Sequence, residues 1–153
     1  MLRMLVALCL SLSVAGGAAA GQIDIEDPWI RAAPPTARML AGYAVLHNRG
    51  SDPVVLVGAR SDRFGMVEVH ETVEVDGVAR MREVPRIEIA PGAAVTLEPG
   101  GKHLMLMRPQ SVPAEGETVE IVLRLEDGSE LPVQFGVRRA GAPSAGGEDH
   151  AGH

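Results

Sequence analysis

The segment His103-Leu104-Met105-Leu106-Met107 places metal-binding side chains at alternate positions. Because side chains alternate between the two faces of a β-strand, His103, Met105 and Met107 are expected on one face and the two leucines on the other. Thioether sulfur is soft and uncharged, so it suits Cu(I) better than Mg²⁺ or Ca²⁺, and imidazole adds a stronger donor. This combination without cysteine indicates Cu(I) chemistry, although methionines of one strand alone also commonly fill core gaps.

Two further candidate ligands lie upstream, in neighbouring predicted strands joined by the turn Asp76-Gly77. They are His70 and Met81. A hairpin at this turn would bring the two strands side by side, so both side chains could face the same end of the fold.

The four residues His70, Met81, His103 and Met105 follow the spacing H-x10-M-x21-H-x-M. In this spacing the chain resembles the PCu(A)C family of periplasmic copper chaperones. The resemblance extends over nearly all of residues 21–139. It includes Trp29-Ile30-Arg31, Ala41-Gly42-Tyr43, His47-Asn48, Val69-His70-Glu71-Thr72, Met81-Arg82 and Pro99-Gly100-Gly101-Lys102-His103-Leu104-Met105-Leu106-Met107.

Membership of that family would imply a cupredoxin-like Greek-key β-sandwich that binds one Cu(I) at an exposed site. It would also imply that His70, Met81, His103 and Met105 are the ligands. The family role is delivery of copper to the CuA site of cytochrome c oxidase subunit II, often alongside a Sco-type thiol protein. Copper sequestration for tolerance, which uses the same binding chemistry, stays open as an alternative, as does a β-sandwich interaction module without metal.

The remaining histidines and methionines are expected to have other roles. Met107 and Met66 share the face of the candidate ligands, and we expect both to pack in the core. His47 is expected to be structural. Met39 follows Pro34-Pro35 in a predicted loop, where it could line a docking face.

Residues 1–20 have the pattern of a secretory signal peptide. A basic residue, Arg3, precedes an apolar run and the small residues Ala18-Ala19-Ala20, which fit an A-x-A cleavage site. The only cysteine, Cys9, lies in this leader after the bulky Leu8, which is unlike a lipid-anchored precursor. We therefore expect a periplasmic protein with no stable membrane anchor. After cleavage of the leader the protein would have no thiol, which excludes disulfides and the thiolate ligand of a blue-copper electron carrier.

Charge and motifs argue against two other classes of function. With 14 basic and 20 acidic residues the formal net charge is −6, and only 3% of residues are aromatic, so nucleic acid is not an expected partner. His70-Glu71 is not followed by the second histidine of an H-E-x-x-H site, and neither G-x-S-x-G nor a P-loop occurs. We expect no enzymatic activity.

The elements that must position the ligands are short runs of Val, Ile and Leu separated by Gly, Pro, Asn and Asp, a pattern typical of an all-β sandwich. Asp76-Gly77 and Asp127-Gly128 predict hairpins. The tail, residues 140–153, is Gly- and Ala-rich and is expected to be flexible, with His150 and His153 as a candidate auxiliary Cu(II) site. The predicted strands are Ile23–Ile30, Gly42–Asn48, Val54–Arg60, Met66–Glu74, Ala79–Val84, Arg86–Ile89, Ala94–Leu97, His103–Met107, Thr118–Glu126 and Leu131–Val137.

Overall fold

All ten predicted strands are present in the computed structural model, which describes residues 19–141. A 3-10 turn at Ala20–Gln22 precedes them. The strands are β1 (Ile23–Arg31), β2 (Met39–Asn48), β3 (Val54–Arg60), β4 (Phe64–Val75), β5 (Val78–Glu83), β6 (Ile87–Ile89), β7 (Ala94–Leu97), β8 (Lys102–Pro109), β9 (Thr118–Leu125) and β10 (Glu130–Arg138).

The strands form one continuous sheet that closes on itself. The order is β5-β4-β8-β2-β1-β10-β9-β3-β6, and β7 pairs with β2. A further pairing of β3 with β4, where Ala59 lies opposite Val67, completes the circuit. Only β1 and β10 run parallel among the pairs of the described chain. The predicted all-β, cupredoxin-like Greek-key sandwich is confirmed.

The core fills the interior of this closed sheet with alternate side chains of the strands. On β8, Leu104 and Leu106 are fully buried in the core. The alternate residues His103, Met105 and Met107 therefore face away from the core. Burial of these apolar side chains supplies the main driving force for folding. Other large side chains with less than 2% exposure include Phe135, Ile30, Leu46, Leu56, Ile89, Ile121, Leu123 and Val119.

Both predicted hairpins are confirmed. Asp76 and Gly77 have φ values of 52° and 76°, which suits a two-residue turn with both residues left-handed, and they join β4 to β5. Gly128 has φ 85° in the turn between β9 and β10, where its amide donates to the Leu125 carbonyl at 3.0 Å. The first of these turns fixes the register that places Met81 opposite Thr72.

The start of β2 differs from the prediction. The strand begins at Met39 rather than Gly42, and Met39 lies opposite Met107 of β8 rather than in a loop. The backbone of Leu40 and Ala41 pairs with β8 as well, so the extension is stabilised by a strand that lies about sixty residues away in the sequence.

The leader and the tail lie almost wholly outside the described residues, and so do His150 and His153. Their predicted roles stay predictions. Within residues 19–141, no helix has the length and apolar character needed to cross a membrane.

Candidate metal centre

Three adjacent strands, β5, β4 and β8, carry the four candidate ligands. His70 of β4 lies directly opposite His103 of β8, with ring centroids 6.4 Å apart and planes inclined by 40°. Met81 of β5 lies opposite Thr72, and Met105 of β8 lies opposite Glu68. Since directly opposite residues share a face, and so do residues two apart on one strand, all four side chains lie on the same face.

Exposure differs sharply among the four side chains. His103 and Met105 are buried, with exposures of 6% and 9%, and the side chain of His70 is 16% exposed. Met81, on the edge strand β5, is 60% exposed. The site was expected to be exposed, but among the four candidate ligands only the Met81 side chain is exposed.

An open cavity of about 260 Å³ lies between Met81, His103 and Met105. Its opposite wall is the chain just after β1, including Ala32 and Ala33. This wall contributes to the burial of the candidate ligands on β8, because it lies across a sheet face that would otherwise be open to water.

Each imidazole has one nitrogen held by a partner. His103 Nδ1 donates to the Gly101 carbonyl oxygen at 3.1 Å, so its Nε2 keeps the lone pair. His70 Nε2 donates to Glu68 Oε2 at 2.9 Å, so its Nδ1 keeps the lone pair. Such partners fix the tautomer and orientation of metal-binding histidines.

The free nitrogen of His70 is unusual among the buried polar atoms. Nδ1 is buried and has no hydrogen-bond partner in the described part of the protein. A buried polar atom without a partner costs about 1–3 kcal/mol, and such atoms call for an explanation such as a missing ion. A soft cation that accepts the Nδ1 lone pair would provide one.

The donor set fits a soft monovalent ion. It combines two neutral imidazole nitrogens with two thioethers and contains no negatively charged ligand. Within residues 19–141, no three His, Cys, Asp or Glu side chains group together as a metal site. Thioethers complete the set here, and thioether ligation favours Cu(I).

The sequence matches the family described as "Putative lipoprotein LpqE-like" over residues 23–137. The protein belongs to the LpqE-like family. One similar relative is the "Putative lipoprotein Lxx21020" of Leifsonia xyli subsp. xyli (strain CTCB07), which is 32% identical over 80% of this chain and 73% of that protein. Another is the "Uncharacterized protein RP573" of Rickettsia prowazekii (strain Madrid E), 28% identical over 75% of this chain and 66% of the relative.

Solved structures similar to this LpqE-like protein include PCuAC domains. The copper-bound PCuAC domain from PmoF2 has a TM-score of 0.64 and 26% identity, covering 78% of this chain and 94% of that chain. The CuI-DR1885 solution structure from Deinococcus radiodurans has a TM-score of 0.64 and 32% identity, covering 82% of this chain and 84% of that chain. The resemblance to the PCu(A)C family is thereby confirmed.

Behind the candidate ligands of this LpqE-like protein, Glu71 joins the same three strands on the other face. It accepts hydrogen bonds from Lys102 of β8 at 2.9 Å and from Arg82 of β5 at 2.9 Å. These two cations, with Lys102 the stronger, hold the pKa of Glu71 below its ordinary value. As expected from strand alternation, Glu71 faces away from His70.

The other histidine and methionine expectations have mixed outcomes. His47 Nε2 pairs with Glu26 Oε2 at 2.9 Å, which confirms a structural role. The expectation that Met66 packs in the core is wrong, because its side chain is 40% exposed, and Met107 is only half-buried. The reason is that this face of β4 and β8 points away from the sandwich interior.

Sequence reasoning missed the residues that support the imidazoles. Glu68 precedes His70 by two positions, so the strand period alone indicates that the two share a face. The sequence gives no comparable indication for Gly101, because it acts through its backbone carbonyl group, which every residue type has. The wall near Ala33 could not be found either, because it becomes a neighbour of the site only through the pairing of β1 with β2 and of β2 with β8.

An aromatic pair lies close to this wall. The rings of Trp29 and Tyr43 have centroids 4.7 Å apart, with Arg138 4.6 Å over Trp29 and Arg31 5.8 Å over Tyr43. Burial raises the pKa of the Tyr43 hydroxyl, and the charge of Arg31 opposes that rise. Because Arg31 also lines the cavity, the stack places the end of β1 beside the candidate ligands.

Proposed function

We propose that this protein is a Cu(I)-binding metallochaperone whose ligands are His70 Nδ1, His103 Nε2 and the sulfurs of Met81 and Met105. The observation that carries the proposal is the buried Nδ1 of His70, which has no hydrogen-bond partner within residues 19–141. His70 lies opposite His103, whose ring borders the cavity shared with the two thioethers. The copper-bound and CuI titles of similar structures support the choice of metal.

Release of the ion would begin at Met81. This ligand lies on an edge strand and is 60% exposed, whereas the other three side chains are mostly buried. A ligand from a partner would replace the Met81 thioether first, and the ion would stay bound to the imidazoles until further ligands arrive. Transfer by successive exchange needs no free copper and no change of oxidation state.

The place of action that we propose is the periplasm. The family and one relative are described as lipoproteins, which supports an extracytoplasmic protein. Export through residues 1–20 and the absence of a stable anchor after cleavage at Ala20 stay predictions, since that leader lies almost wholly outside the described residues.

The first experiment is competition for Cu(I) between residues 21–153 and a chromophoric chelator. We expect one Cu(I) per chain, with weaker binding when His70, Met81, His103 or Met105 is replaced by alanine. His47→Ala is the matched control, because that imidazole is held by Glu26 outside the centre. Failure of the unaltered protein to compete would reject the metallochaperone and favour a β-sandwich interaction module without metal.

The acceptor that we propose is the CuA site of cytochrome c oxidase subunit II, with a Sco-type protein as a second partner. The Cu(I)-loaded protein would be mixed with a soluble CuA domain, with and without the Sco-type protein. Because two d¹⁰ Cu(I) ions give no visible band, CuA formation would be measured by its visible absorption after one-electron oxidation with ferricyanide. Copper that stays bound in both mixtures would favour the alternative role in sequestration and tolerance.

We also propose an auxiliary Cu(II) site at His150 and His153, because imidazoles beside Glu148 and Asp149 suit that ion. Truncation after Arg139 is the test. We expect the truncated protein to lose one Cu(II) and to keep its Cu(I). An unchanged Cu(II) stoichiometry would show that the tail does not bind Cu(II).

A further inference from the structure

Three methionines outside the proposed ligand set form a row across three adjacent strands. Met39 of β2 and Met66 of β4 each lie directly opposite Met107 of β8. Neighbouring strands are about 4.8 Å apart, and a methionine side chain has three rotatable bonds, so the three sulfurs can converge on one point. We call Met39, Met66 and Met107 the thioether row.

Two side chains of this row, those of Met39 and Met66, are exposed, and packing in the core does not explain why they are methionines. Among residues 19–141 five large apolar side chains are exposed, and three of them are methionines: Met39 at 54%, Met66 at 40% and Met81 at 60%. The other two, Val75 and Val78, lie at the hairpin of β4 and β5. Exposed methionines contribute little to a core, and their sulfur remains available as a soft ligand.

The thioether row is continuous with the proposed copper site. Met107 follows Met105 by two residues on the same face of β8, a separation of about 7 Å. Met39 lines the cavity that also contains Met81 and Met105. On β4 the position between Met66 and His70 on this face is Glu68, whose carboxylate places a negative charge between the two sites and favours the passage of a cation.

We infer that the thioether row is a second, weaker soft-metal site beside the four-ligand site, where a second Cu(I) is held within reach of a partner. This inference rests on the proposed function. Three neutral thioethers without imidazole bind Cu(I) more weakly than the four-ligand site, so the row fills second. The exposed side chains of Met39 and Met66 allow a partner's ligands to reach the ion without entering the cavity.

Methyl NMR with isotope-labelled methionine tests the inference, because the seven methionines include only five outside the leader. Ag(I), a soft monovalent ion without redox chemistry, is the probe for residues 21–153. We expect the first equivalent to shift the methyl signals of Met81 and Met105. The second equivalent, bound at least about tenfold more weakly, is expected to shift those of Met39, Met66 and Met107.

The variant Met66→Leu/Met107→Leu is the comparison, because leucine keeps apolar volume and removes sulfur. It is expected to take up the first equivalent and to lose the second. If the unaltered protein binds one equivalent of Ag(I) but no second, the thioether row is overturned and the proposed function stays intact. The same conclusion follows if the variant still binds the second equivalent. No shift of Met81 or Met105 at any concentration would overturn both proposals.

Discussion

His70 and His103 lie opposite each other in the β4–β8 register, and their rings are held through different nitrogens. Glu68 accepts from Nε2 of His70, and the Gly101 carbonyl accepts from Nδ1 of His103. The two free lone pairs therefore belong to different ring positions. The acceptor for His70 is a side chain, that of Glu68, whereas the acceptor for His103 is the backbone carbonyl of Gly101. Only the first acceptor can therefore be removed by mutation.

Removing the side-chain support should weaken Cu(I) binding. Glu68→Ala takes away the acceptor that fixes the His70 tautomer, and loss of such a partner typically costs 10–100-fold in metal affinity, so we expect about tenfold here. Chelator competition measures the affinity, and nitrogen NMR of the histidine rings should show His70 with mixed tautomers. Glu74→Ala, an exposed change on the same strand, is the control. Equal affinity for the Glu68 variant would contradict ligation through His70 Nδ1.

Substitutions of the two proposed methionine ligands should distinguish effects on Cu(I) binding from effects on stability. Met105 is buried, so Met105→Ala should lower the free energy of unfolding of the metal-free protein by about 2 kcal/mol or more. Met81 is exposed, so Met81→Ala should change that free energy by less than about 0.5 kcal/mol. Both variants should bind Cu(I) more weakly. Denaturant unfolding and chelator competition check the two effects, and a large loss of stability for Met81→Ala would contradict its placement on an open edge.

The strands were predictable because local composition decides them. Val54–Arg60 and Ala94–Leu97 have the predicted bounds, since turn residues and prolines flank both apolar runs. The start of β2 was not predictable, because Met39 follows a proline-containing segment and becomes a strand residue only through pairing with β8. Non-local pairing of this kind leaves no signal in the adjacent sequence.

For the candidate site, spacing and resemblance were enough to select four residues that lie on one face. Burial was not predictable, because the wall that covers His103 and Met105 comes from the chain after β1, around Ala32 and Ala33. The choice between the two nitrogens of His70 likewise required coordinates. Sequence indicates that Glu68 shares its face, but not that the two side chains meet at 2.9 Å.

Loss of a buried side-chain amide away from the candidate metal centre should affect stability alone. Asn48 is 1% exposed, and its side chain donates to the carbonyls of Asp52 at 2.8 Å and Ile89 at 2.9 Å. Asn48→Ala leaves these buried carbonyls with fewer partners, so we expect a loss of about 1–3 kcal/mol in the free energy of unfolding. Cu(I) affinity of the folded variant should equal that of the unaltered protein. A variant as stable as the unaltered protein would contradict the prediction that these buried hydrogen bonds stabilise the fold.

The ion pairs of Glu71, on the opposite face of β4 from His70, should make the stability depend on pH. Lys102 and Arg82 lower the pKa of Glu71 from its ordinary value of 4.5, so folding favours the ionised carboxylate. The stabilisation is fully present above pH 4.5 and is lost as the pH falls through the lower pKa of the folded state.

Glu71→Gln removes the charge at every pH. We expect it to melt below the unaltered protein at neutral pH, and the difference to shrink as the pH falls below 4.5. Thermal unfolding of the metal-free proteins across this range is the measurement, with Glu74→Gln on the same strand as the control. High salt should reduce the difference at neutral pH, because these groups are partly exposed. A difference that stays constant down to the most acidic pH would show that Glu71 contributes through packing rather than charge.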